Sequence, residues 1–302
     1  MRDTIIKLIN KNLSIKEIAS AINISEKELW VTLRNIISYG YDIDFKYSIN
    51  SDIHPIIKKQ INTKENNYIK IHMPCDDKNT RFIAVSDIHV GDKDSDIKLA
   101  DEVYNYAIKN GINTILLCGD QIQGNFSKPM NMNTIETQVE KFIKDYPYDK
   151  NILNYMILGN HDFRALYYSG FDVSKRIHNL RYDIIPIGNG IGNIKIKEDF
   201  ITLKHELECV DLNYDDILGD IVLSGHSHMM KIKLNGKLVI CVPSLSYNSP
   251  DKSRDNVPGF LDITLDFDRK KIGTVNIDYL LVTPKIQKVS ENKIKIKNIN
   301  CN

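Results

Sequence analysis

An α/β fold of two facing sheets, preceded by a small helical domain, is what this 302-residue sequence predicts. Three observations carry that prediction. Short apolar runs alternate with helix-period stretches after residue 67, hairpin signals follow later in the chain, and two helix-start signatures stand close together near the N-terminus. Helices between strands early and hairpins late give a two-sheet αββα sandwich.

The helical part comes first. Ser14-Ile15-Lys16-Glu17 and Ser25-Glu26-Lys27-Glu28 are both Ser-x-x-Glu capping boxes, which satisfy free amides at a helix start. Ile15, Ile18, Ala19 and Ile22 follow the first at helical spacing; Leu29, Leu33, Ile36 and Ile37 follow the second. Ile5, Ile6, Leu8 and Ile9 suggest a preceding helix, and Gly40-Tyr41-Asp42-Ile43 could open a wing. The pattern over residues 1–48 is that of a helix-turn-helix or winged-helix-like domain. Read functionally, it binds DNA or RNA with Lys27, Trp30, Val31 and Arg34 on the exposed side of the second capped helix and Lys27 and Arg34 toward phosphates; read structurally, it is a helical module that docks on the enzyme or on another protein. Glu26 and Glu28 weigh against the first reading, because phosphate contacts dominate nucleic-acid affinity.

Residues 49–66 are polar with little period and read as a linker. A second, larger domain is expected over 67–284, entered by a strand at Tyr68-Ile69-Lys70-Ile71-His72. Its strands are Phe82–Val85, Ile115–Cys118, Tyr155–Leu158, Phe200–Leu203 and Ile221–Ser224. One helix carries Ile97, Leu99, Ala100, Val103 and Ala107, another Ile135, Val139, Phe142 and Ile143. Asn235-Gly236 is a hairpin turn signal, and a second antiparallel pair surrounds Asp268-Arg269-Lys270-Lys271. Residues 285–302, rich in lysine, read as a solvated basic tail.

Composition bounds the function. The hydrophobic fraction of 42% and charged fraction of 26% are those of an ordinary globular protein. A formal net charge of +1 offers no global field for nucleic acid and leaves a local patch open. Five scattered cysteines without a C-x-x-C pair suit a reducing compartment. Charge interrupts the N-terminus too early for a signal peptide, and no apolar stretch has the length of a membrane span. A cytoplasmic location is expected, the host cytoplasm if the protein is viral.

The chemistry lies in five short motifs: Asp87-Ile88-His89, Gly119-Asp120, Gly159-Asn160-His161-Asp162, His205, and Gly225-His226-Ser227-His228. Each follows an apolar run, as residues delivered to a sheet edge do. Carboxylates, imidazoles and one amide arriving together suit a pair of hard or borderline divalent metals. Any one motif has an ordinary structural explanation, since Asp-x-His pairs occur at strand ends and Gly-Asp in turns. Five of the eight histidines fall inside the set, which tells against coincidence. His54, His72 and His178 read as structural.

The motifs, in this order from about Arg81 onward, resemble those of the calcineurin-like metallophosphoesterases. The resemblance implies the αββα fold and two divalent metal ions. Asp120 would bridge them, Asp87, His89 and His228 would hold one, and Asn160, His205 and His226 the other. It also gives His161 the protonation of the leaving oxygen, with Asp162 on its other ring nitrogen. Arg164 is a candidate phosphate binder through its fork of donors, or a plain surface arginine. Manganese is the expected metal, while mixed O/N ligation gives little geometric preference among it, iron, zinc and nickel, and magnesium is compatible.

Departures narrow the substrate. Gly119-Asp120 runs on to Gln121-Ile122-Gln123-Gly124 without an Arg, and the third motif ends in Asp162, both unlike the serine/threonine protein phosphatases. Gln123 stands where double-strand-break repair nucleases place a His, and Glu206 follows His205 where many relatives have Gly. Asp87-Ile88-His89-Val90-Gly91 looks more like the small subunit of archaeal D-family DNA polymerase and assorted prokaryotic or phage phosphoesterases. The favoured expectation is a phosphodiesterase acting on nucleic acid or a nucleotide. Two others stay open: a small-molecule phosphatase or cyclic-nucleotide phosphodiesterase with a structural N-terminal domain, and a non-catalytic DNA-binding subunit.

Overall fold

In a computed structural model, residues 2–38, 41–47, 52–60, 69–70, 78–124, 132–205, 217–234, 236–247, 256–283 and 286–296 are described. Asn125, Glu206, His72, Cys75, Cys209 and Cys301 lie outside them, as do the side chains of Lys27, Val31 and Arg34. The chain divides into two compact units, Met1–Asn67 and Tyr68–Asn302.

The first unit has helices α1 (Arg2–Ile9), α2 (Ile15–Ala21) and α3 (Glu26–Ser38), then strands β1 (Tyr41–Tyr47) and β2 (Ile53–Gln60). Both capping boxes form. The Ser14 N–H donates to Glu17 Oε2 at 2.7 Å and that of Ser25 to Glu28 Oε2 at 2.8 Å, with the reciprocal amide-to-serine bonds at 3.3 and 3.2 Å. Ile5, Ile9, Ile15, Ile18, Leu29, Leu33 and Ile36 are buried, and the expectation of an exposed Trp30 is corrected: it is buried too, its ring 4.9 Å from that of Phe45 on β1. The expectation of a linker over 49–66 is corrected in part: Ile53–Gln60 pairs antiparallel with β1. A two-stranded ribbon tolerates polar residues, and even Pro55, because each strand has an unpaired edge. That is why no apolar period betrays β2. His54 Nδ1 donates to the Asn12 carbonyl at 3.0 Å, a structural role.

The second unit is an α/β sandwich. Its strands are β3 (Ile69–Lys70), β4 (Asn79–Val85), β5 (Thr114–Leu117), β6 (Leu153–Leu158), β7 (Ile184–Asn189), β8 (Ile191–Ile196), β9 (Asp199–Lys204), β10 (Ile221–Ser224), β11 (Lys231–Leu234), β12 (Leu238–Cys241), β13 (Gly259–Asp268), β14 (Lys271–Val282) and β15 (Ile286–Lys295). Its helices are α4 (Leu99–Asn110), α5 (Met132–Asp145), α6 (Asn160–Ser169) and α7 (Val173–Leu180). A seven-stranded sheet runs β15-β14-β13-β4-β5-β6-β7, parallel from β4 to β7 and antiparallel elsewhere; a six-stranded sheet runs β11-β12-β10-β9-β8-β3.

Two extensive cores hold these layers, beside a small cluster of Ile217, Val222 and Val239. One, with Ile83, Val85, Ile115, Met156, Val103, Phe142 and Ile177, lies between the seven-stranded sheet and the helices. The other, with Phe82, Leu116, Ile157, Leu203, Leu223, Ile240 and Ile263, lies between the sheets. Alternate residues of β4 serve opposite cores, as a strand covered on both faces requires. The expected tail over 285–302 is also corrected in part, residues 285 and 297–302 lying outside the described ones. Ile286–Lys295 is an antiparallel edge strand on β14, and Lys288 reaches Asp278 and Glu291, each at 2.8 Å. Lysines on an exposed edge discourage pairing with other chains, so a strand here carries the composition of a tail. No helix among the described residues is long and apolar enough to cross a membrane.

Candidate metal centre

The C-terminal ends of β4, β5, β6, β9 and β10 deliver the five motifs to one place. Asp87, His89 and His228 offer ligand atoms within 4.8 Å of one another, and so do Asp120, His205 and His226. In the first group His228 Nε2 is 3.3 Å and His89 Nε2 3.6 Å from Asp87 Oδ1, and the two Nε2 atoms are 3.1 Å apart. In the second, His205 Nε2 lies 3.0 Å from Asp120 Oδ2, while Asn160 Oδ1 lies 3.1 Å from both His205 Nε2 and His226 Nδ1. Asp120 Oδ2 faces both groups, since His89 Nε2 is 3.9 Å away. A third combination, His89, Asp120 and His161, meets the same distance limit.

Backbone geometry is unusual here. Asp87, His89, Asp120, His226 and His228 all have φ between 53° and 70°, five of the nine non-glycine residues with positive φ among those described. A left-handed conformation costs about 1–2 kcal/mol for an ordinary L-residue, somewhat less for Asp and His. It persists because neighbours over-determine it. Asp87 N–H donates to Gly119 O at 3.0 Å, His89 N–H to Asp120 O at 3.0 Å, and Val90 N–H to Gln121 O at 2.9 Å, zipping the loop after β4 to the loop after β5. The motif glycines have equally specific reasons. Gly119 has φ +103°, and a Cβ there would overlap the His205 ring; one on Gly159 would overlap the Asp120 carboxylate.

Each carboxylate spends one oxygen on the backbone and turns the other inward. Asp87 Oδ2 accepts from His226 N–H at 2.9 Å and Asp120 Oδ1 from His161 N–H at 2.8 Å. Asp87 Oδ1 is buried with no hydrogen-bond partner. Burial opposes ionisation of both acids, yet the charge of His205, joined by His228 at Asp87 and by His161 at Asp120, overrides it and holds both well below the usual carboxylate range. His205 responds in kind: burial lowers it, but Asp120 and Asp87 raise it to about 9. Its Nδ1–H donates to the Cys118 carbonyl at 2.7 Å, which leaves Nε2 as the inward atom. A backbone acceptor on one ring nitrogen fixes the tautomer a metal ligand needs. His89 Nδ1, by contrast, is buried without a partner. Four imidazoles, two ionised carboxylates and an amide oxygen converging around a buried, unbonded carboxylate oxygen fit a divalent cation pair in donor type and number.

His161 sits beside this centre on the first turn of α6. Its Nδ1–H donates to the Gln123 carbonyl at 2.7 Å, and its Nε2 is 3.9 Å from Asp120 Oδ2. Burial brings its pKa down to about 4, against the pull of Asp120. The expectation that Asp162 holds the ring is therefore corrected, because the main chain occupies that nitrogen. Asp162 instead accepts three amides, from Gly159 at 2.9 Å, Gln121 at 3.2 Å and Ile122 at 2.9 Å. Burial and then Asp120 push its carboxyl up to about 7, against those bonds. Arg164 lies on the next turn of α6, half-buried, close enough to disfavour the charged form of His161. His178 Nδ1 contacts the Ile184 carbonyl at 3.4 Å, away from the motifs.

Residue reading alone missed the supports: the carbonyls of Cys118 and Gln123, and Gln138 on α5, whose Oε1 accepts from Gly124 N–H at 2.8 Å. Carbonyls carry no sequence signal. Gln138 had one, as the buried polar residue on the apolar face of α5 beside Ile135, Val139 and Phe142.

The arrangement defines a candidate divalent-metal site at the edge of an α/β sandwich. The calcineurin-like phosphoesterase family matches residues 80–230, and the chain belongs to that family of divalent-metal phosphoester hydrolases. Among solved structures it is similar to vacuolar protein sorting 29 from Cryptosporidium parvum, at 15% identity over 72% of this chain and 99% of that one, TM-score 0.47. Others are Vps29 of Entamoeba histolytica complexed with zinc (16%, 72% and 99%, TM-score 0.42) and the phosphoesterase YfcE of E. coli (14%, 70% and 98%, TM-score 0.41). No curated protein matches the sequence.

Proposed function

We propose that the protein is a dinuclear-metal phosphodiesterase acting on nucleic acid or a nucleotide. The observation that carries the two-metal part is Asp120 Oδ2, placed between two ligand groups, 3.0 Å from His205 Nε2 and 3.9 Å from His89 Nε2. Asp87, His89 and His228 would hold one cation and Asn160, His205 and His226 the other, with Asp120 available to both and manganese the expected metal. Bound there, such a pair would supply Lewis-acid stabilisation of the phosphoryl group and would acidify a water near neutral pH.

The chain's own residues do the rest. His161, held through Nδ1 by the Gln123 carbonyl, presents Nε2 to the substrate, and in its doubly protonated form, which Asp120 favours and burial opposes, it delivers the proton the leaving oxygen needs. Arg164 binds a phosphate oxygen of the ester. Asn160 adds an oxygen ligand without adding negative charge near an anionic substrate. Preference for a diester of nucleic acid is supported by the helical N-terminal unit with Lys27 and Arg34 on α3, and by the absence of an Arg after Gly119-Asp120.

The test is a substrate panel with Mn²⁺: bis-p-nitrophenyl phosphate, p-nitrophenyl phosphate, cyclic nucleotides, and single- and double-stranded DNA and RNA. Turnover of the diester and of a polynucleotide above the monoester supports the reading. Preference for the monoester or for cyclic nucleotides replaces it with a small-molecule enzyme whose N-terminal unit is structural.

A further inference from the structure

We infer that Asp162 is a positioning residue whose carboxylate sets the spacing of Asp120 and Asn160, and through them the affinity of the cation site formed by Asn160, His205 and His226. The inference rests on the dinuclear reading above and deepens it. Asp162 is 1% exposed. Its Oδ2 accepts from Gly159 N–H and Gln121 N–H, and its Oδ1 from Ile122 N–H. Gly159 immediately precedes Asn160, and Gln121 immediately follows Asp120. One side chain thus ties the residue before one proposed ligand to the residue after another, across the ends of β5 and β6. His161 N–H closes the same junction from the other side on Asp120 Oδ1, at 2.8 Å.

The junction has no slack. The Asp120 carboxylate packs on Gly159 Cα so closely that a methyl group there would overlap it. A small shift of either loop therefore reaches the ligand oxygens directly. Only a carboxylate meets the demand. Both of its oxygens receive N–H donors, and an amide would turn its NH₂ toward the N–H of Ile122 or toward those of Gly159 and Gln121. Because His161 has its Nδ1–H on the Gln123 carbonyl, the influence of Asp162 runs through the ligands and not through the proton donor.

The test uses the full chain. Calorimetric titration of the wild type with Mn²⁺ shows two binding events. In Asp162→Asn one of them weakens about 10–100-fold, the range for partners that orient ligands, and the other is unchanged. The Mn–Mn exchange coupling seen by EPR disappears at concentrations that saturate the wild type. Hydrolysis of bis-p-nitrophenyl phosphate and of a diester with an alkoxide leaving group falls by the same factor, and both recover with excess Mn²⁺. Wild-type affinity for both ions in the variant overturns the inference, as does a loss confined to the alkoxide substrate. Fewer than two Mn²⁺ in the wild type removes the dinuclear reading itself, a different failure. If Asp162→Asn does not fold, hydrogen exchange on the metal-free wild type decides. Slow exchange at Gly159, Gln121 and Ile122 supports the clamp, and exchange at loop rates overturns it.

Discussion

Two buried polar clusters in the second unit make an instructive pair. One joins Tyr104, Tyr146, Asn154, Arg181 and Asp183 beneath α5 and α7; the other is the motif cluster at the sheet edge. In the first, no buried side-chain nitrogen or oxygen lacks a hydrogen-bond partner. Arg181 reaches both oxygens of Asp183 at 2.8 and 2.7 Å and the carbonyls of Ile143, Tyr146 and Pro147 at 2.7–3.0 Å. Asn154 accepts from Tyr146 OH at 3.0 Å and donates to Tyr104 OH at 2.8 Å. No residue of this network has positive φ. In the second, Asp87 Oδ1 and His89 Nδ1 are buried without hydrogen bonds, and five backbone positions are left-handed. Fully satisfied polar networks rigidify a fold. Frustrated ones on strained backbone gather where function needs them. The difference separates a scaffold from a site by geometry.

Asp120→Asn should break the comparison most severely on the motif side. We expect turnover to fall to background, and affinity for at least one Mn²⁺ to drop more than about 10²-fold, beyond what outer partners supply. Circular dichroism should show the sheets retained. Unchanged metal content by elemental analysis, or full activity in EDTA, would refute the assignment of the cluster.

A selective effect comes next. His161→Gln should lower the rate by about 10²–10⁴-fold on a diester with a nucleoside leaving group and hardly at all on one releasing p-nitrophenolate. Equal losses on both, accompanied by metal loss, would make His161 a ligand within the third combination.

On the scaffold side, Arg181→Ala leaves Asp183 buried and unpaired, and should destabilise the fold by about 3 kcal/mol in urea titration. Turnover per folded molecule and Mn²⁺ affinity should be unchanged. A loss of metal binding without a loss of stability would reverse the roles given to the two clusters.

The smallest effect is expected in the first unit. Lys27→Gln with Arg34→Gln, in the full chain, should weaken polynucleotide binding and reduce its salt slope by about 2, near one per phosphate contact. Hydrolysis of bis-p-nitrophenyl phosphate should not change. An unaltered salt slope would sharpen the contrast differently, by making the first unit a docking or structural module.

Legibility followed the range of each interaction. The five strands that carry motifs were readable because each is a compact apolar run ending at a polar step; Ile115–Cys118 became β5 and Ile221–Ser224 became β10. Both N-terminal caps were readable because donor and acceptor lie three residues apart. β2 and β15 were hidden, since an edge strand has only one partner and a lysine-containing polar sequence looks like linker or tail. Asp162 was assigned to the ring beside it in sequence, while its real partners include Gln121 and Ile122, forty residues back.

By itself the sequence determined which side chains could serve as ligands and where along the chain strands would present them. Both follow from residue chemistry and local period, which need no knowledge of the rest of the fold. Tertiary structure alone decided how they are held: His161 on the Gln123 carbonyl, His205 on the Cys118 carbonyl, and Asp87 Oδ2 on the amide of His226. These bonds use main-chain groups that every residue possesses. Nothing in the side-chain order distinguishes one carbonyl from another until the sheets bring two distant loops into hydrogen-bonding distance.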